Sequence, residues 1–300
     1  MKKQTKIVAV ASAAAMLAIG ASMTSFAATG WVEEDGQWYY YDKDGNRVED
    51  EWKKSGDNWY WLDSEENGAM ATDKLVEDDD DTYYVDANGV MVKNTWVKVV
   101  NEDQDDDDDP AEYRYYYMQN SGKAYKASDN SSSVKFKTID GKKYAFDEYG
   151  AMVAEWSLDE DDEKKASDTE AQEAASTAST SEAWEGNGKY AKYTQAWKYY
   201  NSVEDGSRVS KGWFKVVAAE YLNYDKYNDD EDAWYYADGS GNLYAGEFKT
   251  IKGKKYAFRN DGRMLSGLKF IKDDGNGYFD DVRADDDDDY AFDDEDKFLD

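Results

Sequence analysis

The stretch from Gly30 to Met70, GWVEEDGQWYYYDKDGNRVEDEWKKSGDNWYWLDSEENGAM, holds two copies of one unit. In the first copy Trp31 precedes the turn dipeptide Asp35-Gly36, the aromatic run Trp38-Tyr39-Tyr40-Tyr41 follows, and a second turn closes at Asp44-Gly45. In the second copy Trp52 precedes Ser55-Gly56, then comes Trp59-Tyr60-Trp61, and a turn ends at Gly68 before Met70. An aromatic strand, a tight glycine turn and a second aromatic strand make a β-hairpin. A lone hairpin is marginal in water, so its repetition predicts that neighbours stack and bury each other's rings.

The unit recurs along the chain with drifting aromatic positions. A third copy carries Leu75, Thr82-Tyr83-Tyr84-Val85, Asn88-Gly89 and Met91. A fourth starts at Trp96, is interrupted by the acidic run Asp105 to Asp109, and resumes at Tyr115-Tyr116-Tyr117. The fifth, VKFKTIDGKKYAFDEYGAM, uses Phe136, Ile139, Tyr144 and Phe146, and Trp156 opens a sixth. From Ser157 to about Tyr190 the chain is rich in Ser, Ala, Thr and Glu, which reads as an exposed insertion, either disordered or a transient helix. The sixth copy resumes at Trp197, the seventh has Trp213 and Trp234-Tyr235-Tyr236, and the eighth, EFKTIKGKKYAFRNDGRM, nearly duplicates the fifth. The last begins at Leu268 and runs into acidic residues. A longer duplication overlies these units: Trp96 through Met152 matches Trp213 through Met264, each with an acidic insertion in one hairpin and a KKYAF strand in the next. The predicted fold is all-β, a solenoid of stacked β-hairpin repeats with one long low-complexity insertion. Four segments follow: 1–27, 28–156 as N-terminal repeats, 157–190 as the insertion, and 191–300 as C-terminal repeats with an acidic tail.

Residues 1–27 read as a secretion signal. Lys2, Lys3 and Lys6 form a basic start, Ile7 to Ile19 is an apolar run too short to span a membrane, and Ser25-Phe26-Ala27 offers a cleavage site. No later apolar stretch is long enough to span a bilayer, and no LPxTG-like sorting motif ends the chain. With 36 basic and 67 acidic residues the net charge is −31; removing the signal, with three lysines and no acid, leaves −34. Such a field repels nucleic acid and anionic membrane surfaces. The absence of cysteine removes disulfides and thiolate ligands, and the absence of histidine removes the commonest general base and metal ligand. The apolar mass is unusually aromatic, with 26 Tyr, 11 Trp and 10 Phe, which suits a thin stack better than one compact α/β core.

The succession Gly-Trp, turn, Trp-Tyr-Tyr, Asp, Gly, Met resembles the choline-binding or cell-wall-binding repeats of Gram-positive surface proteins. GWVEEDGQWYYYDKDG and EWKKSGDNWYWLDSEENGAM carry the likeness, and KTIDGKKYAFDEYGAM is similar to the related repeats of glucan-binding enzymes and clostridial toxins. The resemblance implies clefts between successive repeats. Each takes one ring from the Gly-Trp position, one from the first aromatic of the triplet, and one from the triplet's last position in the following repeat. A quaternary ammonium cannot donate hydrogen bonds, so a desolvated set of π-faces holds it by cation–π attraction and methyl packing. Carried across, the resemblance implies Trp31 and Trp38 with Trp61, and Trp52 and Trp59 with Tyr84. Trp156 and Trp197 with Tyr236 make a third set if the insertion loops out cleanly. Trp213 and Trp234 are a partial set whose third position falls on Ala257. Elsewhere Leu75 and Thr82 replace two rings, and Lys143 and Lys255 put a like charge where a cation would sit. Rings at repeat spacing also fill a solenoid core whether or not anything binds, so each Trp has a packing role as its alternative.

Four acidic runs, Asp78 to Asp81, Asp105 to Asp109, Asp229 to Asp232 and Asp285 to Asp289, sit in turns or insertions. They read as solvated, mutually repelling loops, or else as weak Ca²⁺ ligands; none has EF-hand spacing. The charge favours a choline cation but opposes the phosphates of choline-bearing teichoic acid, a repulsion screened beyond about 10 Å at moderate salt. A neutral cell-wall polysaccharide or glucan, stacking on flat rings, meets no such repulsion. Carboxylates in flexible runs do not offer the unequal, buried environments of an acid–base pair, so the chain reads as a non-enzyme with no cofactor. The sequence-level expectation is a secreted, cell-surface binding protein; the alternative is a structural or adhesive protein with degraded repeats that acts through a partner or Ca²⁺.

Overall fold

The computed structural model describes residues 29–101, 111–127, 134–158, 188–220, 222–265, 271–273 and 279–281. The chain divides into two units. One takes its described residues from Met1–Ala127 and Phe146–Met152, the other from Ser128–Ala145 and Val153–Asp300.

Hairpins dominate the first unit. β1 (Gly30–Glu34) pairs with β2 (Gln37–Tyr41), and β3 (Glu51–Ser55) pairs with β4 (Asn58–Asp63). The short β5 (Ala69–Met70) lies between β2 and β4, so the first two repeats share one sheet of order β1-β2-β5-β4-β3. β6 (Lys74–Asp78) with β7 (Asp81–Val85), and β8 (Thr95–Val100) with β9 (Tyr113–Met118), continue the series. The fifth repeat comprises β10 (Lys135–Ile139), β11 (Lys142–Phe146) and β12 (Met152–Val153). In the second unit β13 (Glu155–Leu158) pairs with β14 (Trp197–Tyr200), β15 (Gly212–Val216) with β16 (Ala233–Ala237), and β17 (Glu247–Ile251) with β18 (Lys254–Phe258). Of the last copy the described pieces are β19 (Ile271–Asp273) and β20 (Phe279–Asp281), which pair. The expected all-β repeat architecture is what the chain adopts.

The sixth hairpin closes across the insertion with Trp156 opposite Tyr199 and Leu158 opposite Trp197. Most of that insertion, 159–187, lies outside the described residues, as do the 1–27 signal and the Asp105–Asp109 and Asp285–Asp289 runs. Its edges are ordered structure: Ser157 and Leu158 belong to β13, and a helix, α1 (Gly188–Ala196), leads into β14. Tyr193 and Ala196 of α1 are buried with Trp197, Leu222, Tyr235 and Leu243. A second short helix, α2 (Tyr224–Asn228), lies in the seventh hairpin's insertion.

Turn chemistry explains the hairpins. Asp35 (φ 52°) and Gly36 (φ 85°) both adopt the left-handed conformation that two-residue hairpin loops require. The second turn of the first, third, fifth and seventh repeats is organised by an aspartate. Asp42 Oδ1 accepts from the backbone N–H of Asp44 and Asn46, both at 2.9 Å. Asp86, Asp147 and Asp238 repeat the device two and four residues onward. Two of these carboxylates respond oppositely to their surroundings. The Asn46 N–H, with that of Asp44, holds Asp42 below its usual range, whereas burial pushes Asp147 up. The charge on Asp42 therefore stabilises the fold above the unfolded carboxylate range and ceases to do so as pH falls through its lowered value. The charge on Asp147 opposes folding above its raised value. Asp147→Asn, which keeps the acceptor, is expected to leave Tm unchanged or raise it at neutral pH, and Asp42→Asn to lower it. Thermal melts should show both differences vanishing in acid below the carboxylate range.

Successive repeats are tied by backbone. After each second turn the chain returns to the preceding hairpin: Met91 N–H donates to the Trp59 carbonyl at 2.9 Å and Ala124 N–H to the Thr82 carbonyl at 2.7 Å. In the second unit Arg208 N–H reaches the Lys143 carbonyl and Met264 N–H the Trp234 carbonyl, both at 2.7 Å. In these four bonds the acceptor is the first triplet position of the preceding repeat. The turn glycine then lies against the segment closing the repeat before it. A Cβ on Gly89 (φ 77°) would come within 2.8 Å of Met70 Cε and 3.0 Å of the Ala71 carbonyl oxygen.

Candidate functional site

Cross-strand partners share a face, and neighbours along a strand do not. Trp31 stands opposite Tyr40, and Trp52 opposite Trp61, so in each hairpin the Gly-Trp ring and the third triplet ring point the same way. The middle triplet residue points the other way, and it is this ring that meets the preceding repeat. Trp31 lies 5.3 Å from Tyr60 with the rings at 73°, and 5.5 Å from Tyr40 at 86°. Trp52 lies 5.2 Å from Trp61 and 5.1 Å from Tyr83. Edge-to-face and tilted contacts of this kind satisfy the ring quadrupoles while burying area.

The structure thus places Tyr60, not Trp61, against Trp31, and Tyr83, not Tyr84, against Trp52. Trp61 is itself 6% exposed and packs in the core with Ala71, Val76, Tyr83 and Val85. Tyr84 is tied by its hydroxyl, which donates to Asp73, and burial raises its phenol well above the ordinary value. The first triplet position behaves differently. Trp38 and Trp59 have no ring partner among the described residues; Trp38 is half-buried and Trp59 is 36% exposed. Because the Trp59 carbonyl is held by Met91, its backbone is fixed while its indole faces outward.

The second unit repeats the arrangement. Trp156 contacts Tyr199 at 5.1 Å and Tyr235, a middle ring, at 5.0 Å, while its indole N–H donates to the Val217 carbonyl at 2.8 Å. Trp197, expected to wall that cleft, is 9% exposed, with Tyr193 of α1 at 6.2 Å. Tyr236 turns instead to Trp213 and Tyr244, at 5.0 and 5.2 Å. Trp213 is ringed on several sides: Trp234 lies at 6.4 Å, Tyr256 at 4.8 Å and Phe258, stacked, at 5.8 Å. Here Trp213 and Trp234 do come together, and the ring missing at Ala257 is supplied by its neighbour Tyr256. Trp234 remains 44% exposed. The sequence reading thus missed Tyr60, Tyr83, Tyr235 and Tyr256. Strand alternation would have found them once the hairpins were taken to stack front to back.

Residues 28–66 match the choline-binding repeat and residues 73–91 the cell wall binding repeat. These two stretches are similar to choline-binding repeats. No curated protein sequence matches the chain. Among solved structures the chain is similar to CbpJ of Streptococcus pneumoniae TIGR4, with 20% identity over 79% of this chain and 58% of that one, TM-score 0.43. It is also similar to the modular autolysin LytC of S. pneumoniae in complex with a synthetic peptidoglycan ligand, with 16% identity over 79% of this chain and 38% of that one, TM-score 0.42. The choline-binding domain of S. pneumoniae CbpL gives 20% identity over 86% of this chain and 100% of that one, TM-score 0.42. The chain therefore spans 58% and 38% of the length of CbpJ and LytC.

Charge is distributed unevenly around the repeats. The Trp52 indole N–H donates to Asp78 Oδ2 at 3.0 Å, which sets a carboxylate beside the Trp52–Tyr83 pair. The corresponding N–H of Trp31 is buried with no hydrogen-bond partner, and Ser55 holds the position equivalent to Asp78. Asp81, Asp229 and Asp232 of the acidic runs pair with Lys123, Lys226 and Lys215. Among the described residues no group of three or more acidic side chains is arranged to hold a metal ion. No described helix is long and apolar enough to cross a membrane, and cell-wall-binding repeats imply association with the cell surface.

Proposed function

We propose that this is an exported, wall-associated, non-catalytic protein that holds choline, or the choline of a wall polymer, at outward-facing indoles beside its inter-repeat seams. The observation that carries this is the division of labour between tryptophans. The Gly-Trp indoles Trp31 and Trp52 are engaged by rings of the next repeat, while the first-position indole Trp59, like Trp234, presents an open face. An open indole beside further rings suits a trimethylammonium, which gains cation–π attraction from the indole, while the Asp78 carboxylate on Trp52 adds charge attraction at the Trp52–Tyr83 wall. The matches to choline-binding and cell wall binding repeats support choline as the class of ligand. Trp38 and Trp59 are the principal contacts in this reading, with Trp31–Tyr60 and Trp52–Tyr83 as the walls behind them, and Trp234 with Trp213 forms the further site. Export, the 1–27 signal and the lack of turnover belong to this proposal.

The test is a choline titration followed by tryptophan fluorescence and by retention on a choline-substituted resin against a dextran resin. The parent chain is expected to give a saturable change and choline-selective retention. Trp59→Ala should lose a large part of both while Tm moves little, because an exposed side chain contributes little to packing. Retention on dextran alone, or no saturable response in the parent, would overturn the choline reading.

A further inference from the structure

The fifth and eighth repeats replace both cleft tryptophans in the same way. Phe136 and Phe248 take the Gly-Trp position, and Lys143 and Lys255 take the first triplet position. In each, the lysine ammonium lies over the phenylalanine ring at 4.7 Å from its centroid. The register of the eighth hairpin sets Phe248 opposite Ala257 and Lys255 opposite Thr250, so both side chains rise from one face, on the diagonal that Trp213 and Trp234 occupy in the seventh. Neither ammonium has a carboxylate at ion-pair distance among the described residues, although the chain has 67 acidic residues to 36 basic ones. The adjacent Lys142 makes such a pair with Asp205 at 3.0 Å. At the fifth repeat the guanidinium of Arg208 also lies over Phe136, at 5.6 Å.

We infer that Lys143 and Lys255 are built-in occupants: each lays its own alkylammonium on the ring that stands at the wall position, in the notch where, at tryptophan-lined repeats, a soluble quaternary ammonium is held between that wall and the first-position indole. This rests on the proposed choline reading. It adds that two repeats are closed to ligand from within, so lysine at the first triplet position takes a repeat out of the number that bind a soluble cation. An ammonium over an aromatic face within about 6 Å is attracted by the ring quadrupole. A tethered cation also gives up far less translational freedom than a free one, so it outcompetes soluble ligand on its own ring.

Equilibrium dialysis with choline on the full chain tests this. The parent is expected to bind at its tryptophan repeats only. The double variant Lys143→Trp, Lys255→Trp is expected to bind two more equivalents, and Lys143→Ala, Lys255→Ala to gain weaker extra binding. Unchanged stoichiometry in both folded double variants overturns the inference. A second readout does not depend on choline or on the variants folding: in the parent, the ε-methylene proton resonances of Lys143 and Lys255 should lie upfield of those of the exposed turn residue Lys252 through ring current. Ordinary shifts at both lysines refute the occupancy even if choline binds elsewhere. Upfield shifts in a chain that binds no choline at all would leave the lysine–ring pairs standing and sink the functional reading instead.

Discussion

Gly89→Ala is expected to destabilise the N-terminal unit by about 2–5 kcal/mol, and Gly36→Ala by only about 1–2 kcal/mol. The two glycines share a backbone conformation, with φ 77° at Gly89 and 85° at Gly36, so the penalty for placing an L-residue there is common to both. They differ in what a methyl group would meet. At Gly36 nothing lies within 4 Å, whereas at Gly89 the methyl would sit 2.8 Å from Met70 Cε, 2.9 Å from its sulfur and 3.0 Å from the Ala71 carbonyl oxygen. The methionine tip can shift, but the carbonyl belongs to the segment that closes the preceding repeat and donates its own N–H to Trp61. The overpacking is therefore felt by the layer beneath. Chemical denaturation of both variants measures the difference; equal penalties would mean that the turn does not hold one repeat against the next.

A second large effect is expected at Trp213. Trp213→Ala should cost roughly 3 kcal/mol or more in the C-terminal unit, near the lower end of the usual range for truncating a packed aromatic because the ring is only partly buried. Its indole is shared by Trp234, Tyr236, Tyr256 and Phe258, so truncation opens a void bordered by four rings from two successive hairpins. Trp213→Phe, which keeps a ring, should recover much of the loss. Unfolding followed by near-ultraviolet circular dichroism reports both. A loss no greater than that of Trp59→Ala would show that the Gly-Trp position is not the packing centre of the seam.

Much of this architecture could be read from the chain before any coordinates. Glycine turns separated by aromatic runs fixed where the hairpins lie, and a two-residue period fixed which rings share a face. The pairing of Trp156 with Tyr199 was legible across the insertion, because the repeat resumes in phase. The identity of the seam partner was not. Alternation within one strand says that Tyr60 and Trp61 point oppositely, but only the order of stacking says which of them meets Trp31. The burial of Trp197 was hidden for a different reason: it depends on Tyr193 of α1, in a stretch whose small polar residues give no helical period. Lys143 and Lys255 were read as spoiling their clefts by repelling a cation. The structure sets each ammonium on a phenylalanine face, a contact that residue spacing does not reveal.

The backbone bond that returns from each closing segment to the hairpin before it has one more implication. Since donor and acceptor recur at equivalent positions, Met91 to Trp59 and Ala124 to Thr82, excising one full period would leave a new junction with the same donor facing the same acceptor. Removing half a period would leave both ends mismatched. Such an array can change length between generations by whole steps, gaining or shedding docking points without redesign of the joints that remain.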